Sequence, residues 1–400
     1  MRKNGTERLF LSKLIFTLGI MLVYALARSI PLLGIDTVAY ENQVIDGTML
    51  LQQSVGGDMH RYSLMALGIS PYMIATILVQ VITACKSSEA KSRISQKKMN
   101  RLSVVITVAI AFCQAMIRVD ELIFIEEATD FLLTKYIVVI EMITGVLVII
   151  WLSERNKRYG IGGQTAILMI NILDGTLTTI RTGMESNAII PILISVSMMF
   201  VMLFLENSEK RIPVQRISIH NVYADKNYQA MKINPIGVMP IMFASAAFTL
   251  PQLVTQVLQL NLPDSERIRW AAENMTLDKP LGIGVYIVVL YILNISFSFI
   301  MLSPKNMTEQ FLKSGDSLVN KRPGKETRWY LVGNVWKLGM FSSTIMALCI
   351  GTSLYLQTQG TVPGSMAMLP SSLMMLTGLW CNLYRESEAL INTDSYKLFI

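Results

Sequence analysis

The sequence predicts an all-α integral membrane protein: ten transmembrane helices in two inverted, pseudo-symmetric halves of five. Three observations lead there, namely an apolar composition, charge-free stretches of spanning length, and a short pattern that recurs in opposite halves. Of 400 residues, 52% are apolar and only 16% charged, against about 25% charged in ordinary soluble domains. That composition excludes an ordinary soluble enzyme. With only His60 and His220, far apart, a His-rich metal site lacks ligands. Cys85, Cys113, Cys349 and Cys381 form neither a C-x-x-C pair nor a dense disulfide framework. No G-x-x-x-x-G-K-[ST] loop is present, so energy for any vectorial work must come from outside the chain. No catalytic residue, metal or cofactor is expected.

Each span follows from the spacing of charge. Between Arg61 and Lys86 lie 24 uncharged residues, between Glu185 and Glu206 20, between Lys232 and Asp264 31, and between Lys279 and Lys305 25. About 20 mostly apolar residues cross about 30 Å of hydrocarbon as a helix. From Leu338 to Tyr384 runs a stretch of 47, broken by the polar segment Gln357–Gly364, and it reads as two spans. Less apolar candidates carry Arg28, Glu141 or Asp174, or are short. The ten expected spans are 13–33, 63–84, 102–119, 136–152, 162–180, 188–205, 236–258, 282–302, 333–356 and 366–384. Without water to satisfy their backbones, these segments must be helices rather than open sheet.

Charge asymmetry sets the orientation. With the N-terminus inside, 27 of the 35 Lys and Arg fall on the cytosolic side, 7 on the other, and Arg28 lies within the first span. Such a bias places both termini in the cytosol. The net charge of +7 is then a matter of topology, and no nucleic acid is expected as a partner. Arg2, Lys3, Arg8 and Lys13, the apolar Leu14–Ala27 run and Ala25-Leu26-Ala27 resemble a cleavable secretory signal. Ile30-Pro31-Leu32-Leu33 extends the apolar run, which favours a retained first helix.

The repeat links the halves. Gly68-Ile69-Ser70-Pro71-Tyr72-Met73 and Gly237-Val238-Met239-Pro240-Ile241-Met242 both read G-[IV]-x-P-x-M, 169 residues apart, each opening the second span of its half. Five spans is an odd number, so duplication inverts the second half relative to the first. The expected halves are 1–186, with spans one to five, and 187–400, with spans six to ten. Chance matching in Gly- and Pro-rich helices is the bland alternative.

Neither 62–85 nor 233–263 contains a charge, which favours an apolar constriction over a charged binding site. Glu141 and Asp174 read either as coupling groups of an ion-driven secondary transporter or as helix-packing residues. Gly47 to Gly57 holds 11 uncharged residues, about 16 Å of helix and too short to span; it reads as a re-entrant helix or a surface turn. Two basic loops, 206–235 and 303–332, are 30 residues each. In the second, Lys321-Arg322-Pro323-Gly324-Lys325 presents cations beside a Pro-Gly turn.

An ordered set of segments resembles the SecY subunit of the protein-conducting channel: Arg61 with Leu67-Gly68-Ile69-Ser70-Pro71-Tyr72; Arg93-Ile94-Ser95-Gln96; Tyr159-Gly160-Ile161-Gly162; Asn234 with Gly237-Val238-Met239-Pro240 and Phe243-Ala244-Ser245; and Arg322-Pro323-Gly324-Lys325. The resemblance covers nearly the whole chain. It implies a SecY-like hourglass pore between the two halves, in the plasma membrane, passing unfolded preproteins. It implies a pore ring of Ile69, Met73, Thr165, Met169, Met242 and Met375. It implies a plug over about 46–57, including Gly47, Met49, Leu50, Leu51, Gly56 and Gly57. A lateral gate is implied between the second and third and the seventh and eighth helices, at Gln114 and Ser245. Motor docking is implied at Lys321, Arg322 and Lys325. Expected partners are a SecA-type ATPase, small SecE-like and SecG-like membrane subunits or accessory equivalents, the preprotein and the lipid bilayer. The ring departs from the family's branched aliphatic pattern, with four Met and one Thr, in a chain holding 26 Met. Flexible thioethers adapt to varied shapes. That feature and the short segment after Tyr396 resemble the accessory SecY of some Gram-positive bacteria, which exports serine-rich glycoproteins with a dedicated motor.

Overall fold

A computed structural model describes residues 3–36, 62–84, 95–120, 122–125, 131–183, 189–216, 228–248, 270, 274, 276–277, 279–319, 321–360 and 366–391. Its helices are α1 (Lys3–Arg28), α2 (Ser70–Ala84), α3 (Gln96–Asp120), α4 (Phe131–Tyr159), α5 (Gln164–Gly183), α6 (Ile189–Asn207), α7 (Met239–Phe248), α8 (Pro280–Leu302), α9 (Pro304–Ser314), α10 (Lys325–Thr358) and α11 (Leu369–Ile391). Three strands accompany them: β1 (Glu209–Arg216), β2 (Tyr228–Lys232) and β3 (Asp316–Leu318).

Six segments are long and apolar enough to cross a membrane: Arg8–Arg28, Lys97–Asp120, Leu133–Tyr159, Ile189–Asn207, Pro280–Ser314 and Lys325–Thr358. The expected spans 63–84, 162–180, 236–258 and 366–384 do not meet that test among the described residues. Helix α2 has 15 residues because the chain from Tyr62 to Ile69 turns instead of coiling. Helix α7 is described only as far as Phe248. Helix α5 carries Asn171, Asp174 and Arg181, and α11 ends in Arg385, Glu386 and Glu388. All four contribute to the largest buried cluster, through Ile69, Met73, Ile74 and Ile77 of the α2 region, Ile167, Leu168 and Ile172 of α5, Ile241 to Ala244 of α7, and Met374, Met375 and Leu379 of α11. A helix packed against protein on most faces needs less apolar surface than one facing lipid.

The expectation of an all-α protein is corrected to a mostly helical one. Strand β1 lies at the centre of an antiparallel sheet in the order β2-β1-β3, with Ile212 opposite Gln229 and Val214 opposite Leu318. The two long basic loops are therefore joined into one unit. Its own core consists of Ile212, Met231 and Leu318 against Leu331, Val335 and Leu338 of α10. Lys210 Nζ donates to Asn334 Oδ1 at 2.7 Å and ties β1 to the same helix. Between α8 and α9, Ser303 at φ +38° turns the chain, and Pro304 starts α9 where no backbone N–H is needed.

Candidate functional site: an apolar constriction and its gate

The repeated pattern has the same geometry in both copies. Gly68 and Gly237 take φ +58° and +69°, a left-handed conformation that only glycine enters without strain. Two residues later the helix begins, at Ser70 in α2 and at Met239 in α7, with Pro71 and Pro240 in second position. Proline is tolerated there because the first helical N–H groups have no partner within the helix. The first turns then close alike, with Met73 N donating to Ile69 O at 3.0 Å and Met242 N to Val238 O at 3.4 Å.

These turns deliver Ile69, Met73, Val238 and Met242 into one buried cluster, where Met375 of α11 joins them. Each is at most 4% exposed. Helix α11 approaches α7 closely, since a Cβ at Gly378 would lie 2.1 Å from Val238 Cγ1. Of the six ring positions, Ile69, Met73, Met242 and Met375 are buried members of this cluster. Thr165 and Met169 are half-buried elsewhere on α5: Thr165 Oγ1 donates to Gly162 O at 2.5 Å, and Met169 lines a cavity of about 370 Å³ between α1, α5 and α11. Ile167, Leu168 and Ile172 are the α5 members of the cluster. Val238 was missed from the sequence, although the 169-residue displacement that relates Met73 to Met242 also relates Ile69 to Val238.

Around the cluster, α7 is fastened to α8. Ser245 Oγ and Tyr286 Oη share a hydrogen bond of 3.2 Å, Phe243 packs at a tilt against Phe297 with ring centroids 4.6 Å apart, and Phe248 meets Tyr286 edge-on at 5.8 Å. Gln114 is buried on α3. The plug residues Gly47, Met49, Leu50, Leu51, Gly56 and Gly57 lie outside the described residues. In the 303–332 loop, Arg322 and Lys325 are exposed. Lys321 Nζ pairs with Glu326 Oε1 at 3.2 Å, and Arg322 N donates to Glu326 Oε2 at 3.3 Å. One carboxylate therefore orders the turn while the Arg322 guanidinium stays on the surface.

The two intramembrane carboxylates have packing partners. Asp174 Oδ2 pairs with Arg28 Nη2 at 2.7 Å, beside a Tyr24 to Asn171 hydrogen bond of 2.7 Å, so both contacts link α1 to α5. Glu141 Oε2 accepts from Leu33 N at 3.1 Å.

The helices and their apolar centre define a multi-pass membrane protein of the channel class. The family model SecY matches residues 63–384. The chain belongs to the SecY family, whose members are transport channels working in Sec complexes and not enzymes. It is 28% identical over 412 residues to the accessory Sec system protein translocase subunit SecY2 of Leuconostoc gelidum subsp. gasicomitatum, covering 97% of this chain and 96% of that one. It is 29% identical over 392 residues to the SecY2 of Streptococcus agalactiae, covering 96% and 94%. Among solved structures, a protein-conducting channel superposes with a TM-score of 0.68 at 18% identity, covering 97% of this chain and 95% of the other, which fixes the fold.

Proposed function

We propose that this chain is the central channel subunit of an accessory Sec-type translocase, passing unfolded polypeptides, serine-rich glycoproteins among them, across the plasma membrane under a SecA-type motor. The observation that carries the reading is the pair of matching Gly-x-x-Pro-x-Met turns whose Ile69, Met73, Val238 and Met242 meet in one apolar cluster with Met375. In this reading ten helices span, α1 to α8 with α10 and α11, in two inverted halves, 1–186 and 187–400. Both termini are cytosolic, and residues 46–57 supply the plug.

The mechanism follows from solvation. A polypeptide cannot enter hydrocarbon unaided, because each unsatisfied backbone group costs several kcal/mol. Water-filled funnels solvate the chain on either side, and a single apolar collar between them dewets against ions yet parts for a peptide. Thr165 and Met169 complete the proposed collar from α5, and methionine side chains let it conform to varied segments. Opening between α2–α3 and α7–α8, past Gln114 and Ser245, admits apolar segments to lipid. Lys321, Arg322 and Lys325 receive the motor, and small SecE-like and SecG-like or accessory subunits brace the helices. The accessory subtype is supported by the two full-length SecY2 relatives. A secondary transporter would need a free coupling carboxylate, and the Arg28 and Leu33 contacts argue against that use of Asp174 and Glu141.

The test is reconstitution of the purified translocase into vesicles with a SecA-type motor and ATP. A serine-rich precursor is expected to become protease-protected, and to a greater extent than an ordinary secretory precursor. Protection of neither, at verified insertion, would contradict the channel reading; equal protection would contradict the accessory assignment.

A further inference from the structure

Three polar side chains are buried together where α8, α10 and the segment leading into α7 meet. Asn294 and Ser342 are 0% exposed and Asn234 1%. Asn294 Nδ2 donates to Ser342 Oγ at 3.2 Å, Ser342 Oγ donates to Asn234 Oδ1 at 3.4 Å, and Asn234 Nδ2 donates to Gly237 O at 2.9 Å. The chain of bonds ends on the left-handed glycine two residues before α7 and five before Met242. Asn294 Oδ1 has no hydrogen-bond partner among the described residues. Leaving a buried acceptor unmatched is costly, so such a group is the natural place for an alternative pairing.

The surroundings show what this junction joins. Helix α10 starts at Lys325, next to Arg322, and Ser342 lies 17 residues along it, about 26 Å of helix. The same helix carries the core of the β1–β3 sheet and the Lys210 contact. It is also fixed to α8, through Tyr291 to Thr344 at 3.2 Å and by the close approach of Gly339 to Ser298. Ser342 is therefore the point where the helix rising from the docking loop touches the segment that sets the entry of α7.

We infer that Ser342, with Asn294, is a positioning latch for α7: its hydroxyl proton holds Asn234 in the closed channel and passes to Asn294 Oδ1 when α7 swings open. The hydroxyl has one proton and two candidate acceptors. Rotation of the Asn294 amide by half a turn puts Oδ1 where Nδ2 now sits, 3.2 Å from Ser342 Oγ. Release of Asn234 frees the Gly237 turn, and a movement of α10 at its docking end favours that release. The exchange replaces the two bonds that Ser342 Oγ makes in the closed state, from Asn294 Nδ2 and to Asn234 Oδ1, with one, so the closed state is favoured by about one ordinary hydrogen bond, a margin that a motor can offset. This inference rests on the channel reading above.

The test is resting ion conductance of the reconstituted translocase without motor, with Met242→Lys as a second channel. Ser342→Ala is expected to raise open-channel occupancy about two- to tenfold, the range one ordinary hydrogen bond provides. Its melting temperature in detergent should stay near wild type. The Ser342→Ala/Asn234→Ala double variant should be no leakier than Asn234→Ala alone, because both remove the same bond. Ser342→Cys, similar in size and a weaker donor, should leak less than Ser342→Ala but in the same direction, and serves if the alanine variant inserts poorly. Ion-tight Ser342→Ala and Ser342→Cys channels beside a leaking Met242→Lys channel overturn the latch and leave the channel reading standing. Tightness of all three overturns both, and additive leaks in the double variant overturn the latch.

Discussion

Arg28 and Asp174 form an ion pair between α1 and α5 whose arginine is buried, and their geometry has a measurable consequence. Arg28 is 8% exposed and Asp174 39%. Removing one partner of a buried pair costs about 3–5 kcal/mol, whereas replacing both by apolar side chains is often neutral. Asp174→Leu should therefore lower the yield of folded protein and its melting temperature, at the lower side of that range given the exposure of Asp174. Arg28→Met/Asp174→Leu should recover most of the loss and still export. A double variant that folds well but no longer transports would instead mark Asp174 as a coupling group. The sequence left Asp174 open between these roles because charge spacing reveals that a carboxylate lies in a span, not which residue 146 positions away faces it.

At the scale of elements, the sheet joins the two basic loops, so the proposed docking surface is a folded unit and not a single loop. Arg322 belongs to a turn ordered by Glu326, at the foot of α10 and beside a sheet built from both loops. If Arg322 docks the motor as proposed, Arg322→Glu should reduce motor-dependent export at least severalfold, by setting a second carboxylate beside Glu326 in place of an exposed cation. Folded yield should be unchanged, since the Arg322 side chain is exposed. Export rate against folded channel is the measurement, and normal export would remove Arg322 from the contact. The sheet itself had a faint signal: Ile212 and Val214 alternate with Arg211, Pro213 and Gln215, the period of a half-buried strand. Topology rules read those charges only as anchors, and five residues of β2 and three of β3 are too short to register alone. Helices α6, α8 and α10 were legible because lipid demands continuous apolar sequence. The spans of α1, α4 and α5 were less so, because Arg28, Glu141 and Asp174 interrupt their charge-free pattern.

For the whole molecule, the central claim is that a polypeptide passes through the apolar cluster that holds Ile69, Met73, Val238, Met242 and Met375. The sequence located four of its members, and the reason differs by residue. Met73 and Met242 were marked by an internal repeat whose glycines adopt matching conformations, so two independent stretches pointed to one geometry. Thr165 and Met169 were placed by resemblance alone, and the buried α5 positions are Ile167, Leu168 and Ile172. The most direct measurement puts a photoreactive amino acid at Met242, and in a separate variant at Phe200, which is 61% exposed on α6. A precursor is then arrested midway by a folded C-terminal domain in the reconstituted translocase. The channel reading predicts strong precursor crosslinks from position 242 that depend on motor and ATP, with none above background from position 200. Protease-protected precursor that crosslinks to neither position, or equally to both, would contradict it.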